Sequence, residues 1–174
     1  MFRSAQGDND MSTVTDHVPS ASASERHRIL NEHKTIAMVG LSSDPMRPSH
    51  FAAIYMQSEG YKIVPVNPRY AGQKILGETV YASLSDIPFP VDIVDVFRRP
   101  EECPDLAREA IKIGAKVFWI QLGIECDEAG QIAQAAGLDF VQNRCVKIEH
   151  ARFHGGMNLV GLATGVISGR RKIA

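Results

Sequence analysis

Residues 35–66 read TIAMVGLSSDPMRPSHFAAIYMQSEGYKIVPV. The first five form a short apolar run closed by Gly40, the pattern of a parallel strand buried on both faces. A loop with Pro45 and Pro48 follows. Residues 49–58 then predict a helix, with Phe51, Ile54 and Tyr55 on one face and Gly60 ending it. Residues 61–66 supply a second strand, broken by Asn67-Pro68. Pro65 inside that run signals that the strand is ending there. Strand, helix and strand in one stretch make a βαβ unit.

The same alternation continues outward. Residues 24–33 predict a short helix capped by Ser24, with Ile29 and Leu30 as apolar anchors. The stretch 69–90 reads as loop, with a short turn or helix over 81–87. Further strands are expected at 92–97 (DIVDVF), 116–120 (KVFWI) and 138–141. Helices are expected at 101–113, striped by Leu106, Ala110 and Ile113, and at 127–136. Right-handed crossovers then dictate a single α/β domain. It is a Rossmann-like, doubly wound, five-stranded parallel sheet, for which the order 3-2-1-4-5 is expected. The domain is placed at 24–153. Residues 1–23 are polar and read as a disordered lead-in, with Met11 an alternative start. Residues 154–174 read as a tail, with a helix expected over 157–167.

Composition narrows the function. The 174 residues carry 19 basic and 20 acidic side chains, a formal net charge of −1, so bulk attraction to nucleic acid is not expected. No apolar run reaches the length of a bilayer span, and the N-terminus lacks the apolar stretch of a signal peptide. Three cysteines, at 103, 126 and 145, have no CxxC spacing. A reducing cytoplasm suits them better than a disulfide framework.

Ligands of open α/β sheets bind beyond the carboxyl ends of the strands. That rule selects 40–49, 67–72, 98–101, 121–124 and 143–145. The first, GLSSDPMRPS, offers a glycine, Ser42, Ser43 and Arg47 just before a helix N-terminus, where amides and the helix dipole favour phosphate. It is not GxGxxG. After the second strand, where an NAD site carries an acid, the chain has Asn67-Pro68-Arg69. An arginine suits a ribose bearing an extra phosphate, as in NADP or CoA. Arg98 and Arg99 add positive charge at the same rim.

The run 35–84, together with VDIVDVFRRPEECP, WIQLGI and NRCVKIEHARF, resembles the stand-alone CoA-binding proteins of the YccU type. These are relatives of the CoA-binding domain in the succinyl-CoA synthetase alpha subunit. The resemblance covers residues 28–153. It implies that Gly40, Ser42, Ser43 and Arg47 receive the pyrophosphate, with Leu41, Pro48 and Ser49 also at the cofactor. It implies that Val66, Asn67, Pro68 and Arg69 flank the adenosine and its phosphate, and that Phe97 and Arg98 border the adenine or pyrophosphate. Trp119, Gln121 and Gly123 are implied along the pantetheine path, closed by Asn143 and Arg144. The synthetase's second domain, with its phosphorylated histidine, has no counterpart in the sequence. Ligase activity is therefore not expected to be inherited with the fold.

No Ser-His-Asp set or carboxylate pair assembles, so no catalytic residue is assigned. His150 and His154 lie four apart but lack the glutamate of HExxH, and no metal site is assigned. Cys145 falls on the ligand side; it reads either as a small buried hydrophobe or as a partner for a CoA mixed disulfide. Three functions follow. One is a module for CoA or acyl-CoA, accessory or regulatory, the partner being that cofactor. The second is an NADP-dependent enzyme. The third is a partner-binding domain with an empty crevice, for which Leu159, Val160, Leu162 and Ile167 supply a homo-oligomer contact.

Overall fold

The computed structural model describes residues 17–155. Five parallel strands form one sheet: β1 (Thr35–Val39), β2 (Lys62–Val66), β5 (Ile93–Val96), β6 (Val117–Ile120) and β7 (Asp139–Val141). A two-stranded hairpin, β3 (Lys74–Ile75) and β4 (Glu78–Thr79), interrupts the series. The helices are α1 (Ala23–Glu32), α2 (Pro48–Ser58), α3 (Cys103–Lys112), α4 (Asp127–Ala135) and α5 (Val146–His154).

Successive strand residues face opposite sides of the sheet, and both sides are apolar. Ala37, Val39, Val94, Val96, Phe118 and Ile120 pack with Ala107, Ala110, Ala129 and Ala133 of α3 and α4. Ile36, Met38, Ile93, Val117 and Trp119 pack with Ile29 and Leu30 of α1, Ala53 and Met56 of α2 and Val146 of α5. The sheet is thus doubly wound, as expected.

Its order is not the expected one. The sheet runs β2-β1-β5-β6-β7, which in terms of the five parallel strands is 2-1-3-4-5 rather than 3-2-1-4-5. The third strand, β5, pairs with β1 and leaves β2 at the edge. Pro65 supplies the physical reason. Its carbonyl faces outward and accepts from Tyr81 N at 2.9 Å. In a strand the N–H and C=O of one residue share a side, so the N–H that proline lacks is also on the outer side. A full strand beyond β2 would need that donor. A single bridge at Val66 and Tyr81 takes its place.

Three boundaries also move. Ser22, not Ser24, caps α1: its hydroxyl accepts from Glu25 N at 3.3 Å and Glu25 Oε2 accepts from Ser22 N at 2.6 Å. Residues 17–22, assigned to the lead-in, pack on the sheet: Val18 is buried and Ala21 N donates to Phe140 O at 2.8 Å. Residues 146–154, assigned partly to the tail, form α5. A buried pair, Arg26 Nε to Glu149 Oε2 at 2.8 Å, joins α5 to α1. Residues 1–16 and the helix expected over 157–167 lie outside the described residues.

Candidate functional site

One crevice of about 950 Å³ opens at the carboxyl ends of the strands. β1 reaches it first. Gly40 ends that strand at φ +90°, and a Cβ there would lie 2.7 Å from the Phe97 carbonyl oxygen. Only glycine lets the β1 loop pass so close to β5. The loop is then knitted by its own polar groups. Ser42 N donates to Ser49 Oγ at 3.1 Å, and Asp44 N to Ser42 Oγ at 3.1 Å. Met46 N donates to Asp44 Oδ1 at 2.9 Å. His50 Nδ1 contacts Ser42 O at 2.8 Å.

This loop delivers the start of α2. Arg47 is the N-cap residue but makes no capping hydrogen bond, and Pro48 occupies the first turn. The positive end of the helix dipole is therefore left without a side-chain acceptor.

β2 contributes a second wall. Asn67 lines the crevice, but its amide is spent on the fold. Nδ2 donates to Leu41 O at 3.0 Å and Oδ1 accepts from Arg69 N at 3.1 Å. It staples the turn after β2 to the glycine loop. Arg69 is exposed on the crevice rim, and among the described residues it pairs with no carboxylate; its guanidinium lies 5.6 Å from the Tyr70 ring centre. Ser43, with Ser42 and Arg69 adding to it, holds the Tyr70 phenol below its usual pKa range.

Arg98, after β5, is about one-third exposed and only loosely paired with Glu102 at 3.7 Å; Arg47 reaches Asp44 at 3.8 Å. Among the described residues Asp44 is the one acid lining a crevice that holds Arg47, Arg69 and Arg98. The β2–β1–β5 end is therefore basic.

The other end is apolar. Leu122 and Ile124 after β6, Ile148 of α5 and Cys145 line it. Gln121 lies at its floor and donates from Nε2 to Asp95 Oδ1 at 2.6 Å. Asp95 is wholly buried, and among the described residues its Oδ2 has no hydrogen-bond partner. Burial pushes the carboxyl up to about 7, against the smaller downward pull of the Gln121 bond. Burial likewise raises the Cys145 thiol, while the backbone N–H groups of Ile148 and Lys147 pull it down.

Of the residues singled out from sequence, the crevice gathers Gly40, Ser42, Arg47, Pro48, Ser49, Asn67, Pro68, Arg69, Phe97, Arg98 and Gln121. Leu41, Val66 and Trp119 are buried in the core. Trp119 falls on the α1–α2–α5 side of β6 and donates from Nε1 to Arg144 O at 2.7 Å, so its ring offers no face to a ligand. Ser43, Gly123, Asn143 and Arg144 are near but outside the lining. Asn143, at φ +53°, accepts from Gly123 N at 2.8 Å and so ties the β7 turn to the β6 turn. Sequence reasoning missed Asp44, Tyr70, Leu122, Ile124 and Ile148 as lining residues. Asp44, Tyr70, Leu122 and Ile124 had a visible signal, since each lies in a segment that follows a strand.

The two histidines on α5 stack on each other, with ring centroids 4.3 Å apart. His150 Nδ1 meets the Tyr55 hydroxyl at 3.1 Å and His154 Nε2 meets Asn31 Oδ1 at 2.9 Å, contacts that tie α5 to α2 and α1. Among the described residues no group of three His, Cys, Asp or Glu is placed to hold a metal ion, and no helix is long and apolar enough to cross a membrane.

Residues 34–151 match the profile of a family described as "CoA binding domain". The Bacillus subtilis (strain 168) protein YneT is 42% identical over 130 residues, covering 75% of this chain and 95% of YneT. A solved Thermus thermophilus protein is 39% identical with a TM-score of 0.72, covering 76% of this chain and 98% of that one. A hypothetical protein from Pyrococcus horikoshii OT3 is 38% identical with a TM-score of 0.74, covering 78% and 94%.

Proposed function

The chain belongs to the CoA-binding-domain family, and from that premise we propose that its crevice holds coenzyme A or an acyl-CoA, as an accessory or regulatory module without catalysis of its own. One observation carries this reading. Three arginines with loose or absent partners border a glycine loop and an uncapped helix start, and the opposite end of the same crevice is apolar. A phosphorylated ADP handle joined to a long, largely apolar arm matches that division. NADP shares the phosphates but lacks the arm. The cytoplasm, where free thiols persist, is the compartment this assignment implies.

Melting temperature in the presence of CoA, acetyl-CoA, dephospho-CoA, NADP and NAD tests the assignment. A ligand that binds only the folded chain stabilises it by about 2.7 kcal/mol at one hundred times its Kd. CoA and acetyl-CoA are expected to raise the melting temperature most. A larger shift with NADP than with CoA would reject the reading.

Arg69→Ala locates the 3′-phosphate. A charge-assisted hydrogen bond is worth about 1.5–3 kcal/mol, so CoA affinity should fall on the order of tenfold or more. Affinity for dephospho-CoA, which lacks that phosphate, should hardly change. Calorimetric titration of both ligands with both proteins reads the difference. An equal loss for the two ligands would place Arg69 elsewhere along the ligand.

A further inference from the structure

Gln121 follows β6 on the floor of the crevice's apolar end and is only 4% exposed. The two ends of its amide are used differently. Nε2 donates to Asp95 Oδ1 at 2.6 Å. Oε1 takes no hydrogen bond from the described residues, yet it is not sealed in the core as Asp95 Oδ2 is. An acceptor without a protein partner therefore faces the crevice. Leaving such an acceptor half-satisfied in a nearly buried position is costly, and a donor on a ligand is the group that completes it.

Asp95 decides which end of the amide faces out. A carboxylate only accepts, so the Gln121 N–H₂ turns inward and its oxygen outward. Asp95 lies in the middle of the sheet, on β5, opposite Met38 of β1 and Trp119 of β6. The Trp119 indole N–H is already given to Arg144 O, so neither neighbour donates to the carboxyl. Its one side-chain bond is the one that orients Gln121.

The sheet order sets the spacing. The Gly40 loop follows β1, and β5 and then β6 come next in the sheet. From β1 to β6 is two strand spacings, about 10 Å at about 4.8 Å each. An extended CoA arm that starts from a pyrophosphate on the β1 loop carries its amides over that distance. Leu122 and Ile124, beside Gln121, offer its side no polar side-chain atom.

We propose that Gln121 Oε1 accepts a hydrogen bond from an amide N–H of the CoA arm, and that Asp95 is the positioning residue that keeps the Gln121 amide turned that way; the proposal rests on the CoA reading. The pair thereby selects a carrier with an amide-bearing arm over the bare phosphorylated ADP handle.

The test titrates the full chain calorimetrically with CoA and with 3′-phospho-ADP, the handle without the arm. It is run at pH 8, above the Asp95 carboxyl's value of about 7. Gln121→Met keeps the bulk of the side chain and removes the acceptor. It should weaken CoA about fivefold, the loss of one hydrogen bond, and leave 3′-phospho-ADP within about twofold. Asp95→Val, which frees the Gln121 amide to turn, should show the same arm-specific loss. Asp95→Asn keeps an oxygen for Nε2 and should hold CoA within about twofold of wild type. Unchanged binding of 3′-phospho-ADP shows that each variant is folded. Intact CoA affinity in Gln121→Met would overturn the proposal, as would an equal loss for both ligands. Asp95→Asn as weak as Asp95→Val would overturn the positioning role. A wild-type chain that binds CoA no more tightly than 3′-phospho-ADP overturns this proposal alone. A wild-type chain that binds neither overturns the CoA reading with it.

Discussion

Gly40→Ala is expected to lower stability on the order of 3 kcal/mol and to reduce CoA affinity by at least about tenfold. Two independent penalties coincide at this position. The backbone sits at φ +90°, a conformation that L side chains rarely adopt. The added Cβ would also lie 2.7 Å from the Phe97 carbonyl oxygen, a backbone atom of β5 that has no rotamer with which to yield. Relief requires β1 and β5 to separate at their carboxyl ends. Those ends carry the β1 loop, Phe97 and Arg98, so the same movement opens the basic half of the crevice. Urea unfolding and CoA titration measure the two losses on one protein. A neighbouring control is Gly72→Ala, where φ is +78° but no atom lies within 4 Å of the new Cβ. That variant should show the backbone penalty alone and leave CoA affinity intact. If Gly40→Ala merely matched it in both measurements, the close approach to Phe97 would have no functional weight.

The same contact shows why the site was partly legible in the sequence. A glycine closing an apolar run, followed by hydroxyls, an arginine and a helix, has few alternative uses in a βα turn. Segments after strands were therefore found as segments. Individual side chains were found less well, because alternation decides which of them face the crevice. Leu41 and Val66 are adjacent in sequence to lining residues, and Trp119 is two residues from one, and yet all three belong to the core. Asn67 faces the crevice but spends both ends of its amide on backbone groups. Pro65 inside the second strand signals an edge strand as well as a strand end. Read that way, it excludes the order 3-2-1-4-5 without any coordinates. Ser22 and Glu25 likewise display the capping-box spacing that fixes the true start of α1. α5 had no comparable signal. Its sequence, VKIEHARFH, is mostly polar, its N-cap is a cysteine, and it buries Glu149 and His150. Its place depends on partners distant in sequence, Arg26 and Tyr55, so nothing local announces it.

Loss of the Asp95 charge is expected to flatten the pH dependence of stability. The carboxyl's folded pKa is about 7 against an ordinary 3.8. Between those values the folded chain keeps a proton that the unfolded chain has released. Stability therefore falls as pH rises through that window, and the fall ends once both states are ionised above about 7. At about 1.4 kcal/mol per pH unit the whole window is worth up to ~4 kcal/mol. Asp95→Asn stays neutral throughout and keeps an oxygen for the Gln121 amide. Its new N–H₂ replaces an oxygen without a partner, which returns about 1–3 kcal/mol of that gain. The variant should thus be more stable than wild type by about 2 kcal/mol at pH 8 and no more stable at pH 4. Urea unfolding from pH 4 to pH 8 compares the two slopes. Parallel curves would mean that Asp95 is not the group that titrates. A wild-type curve that falls while the variant's stays level would show a carboxylate held in the core at a cost to the fold. Among the described residues, the lining side chain that bonds to it is Gln121, at the apolar end of the crevice.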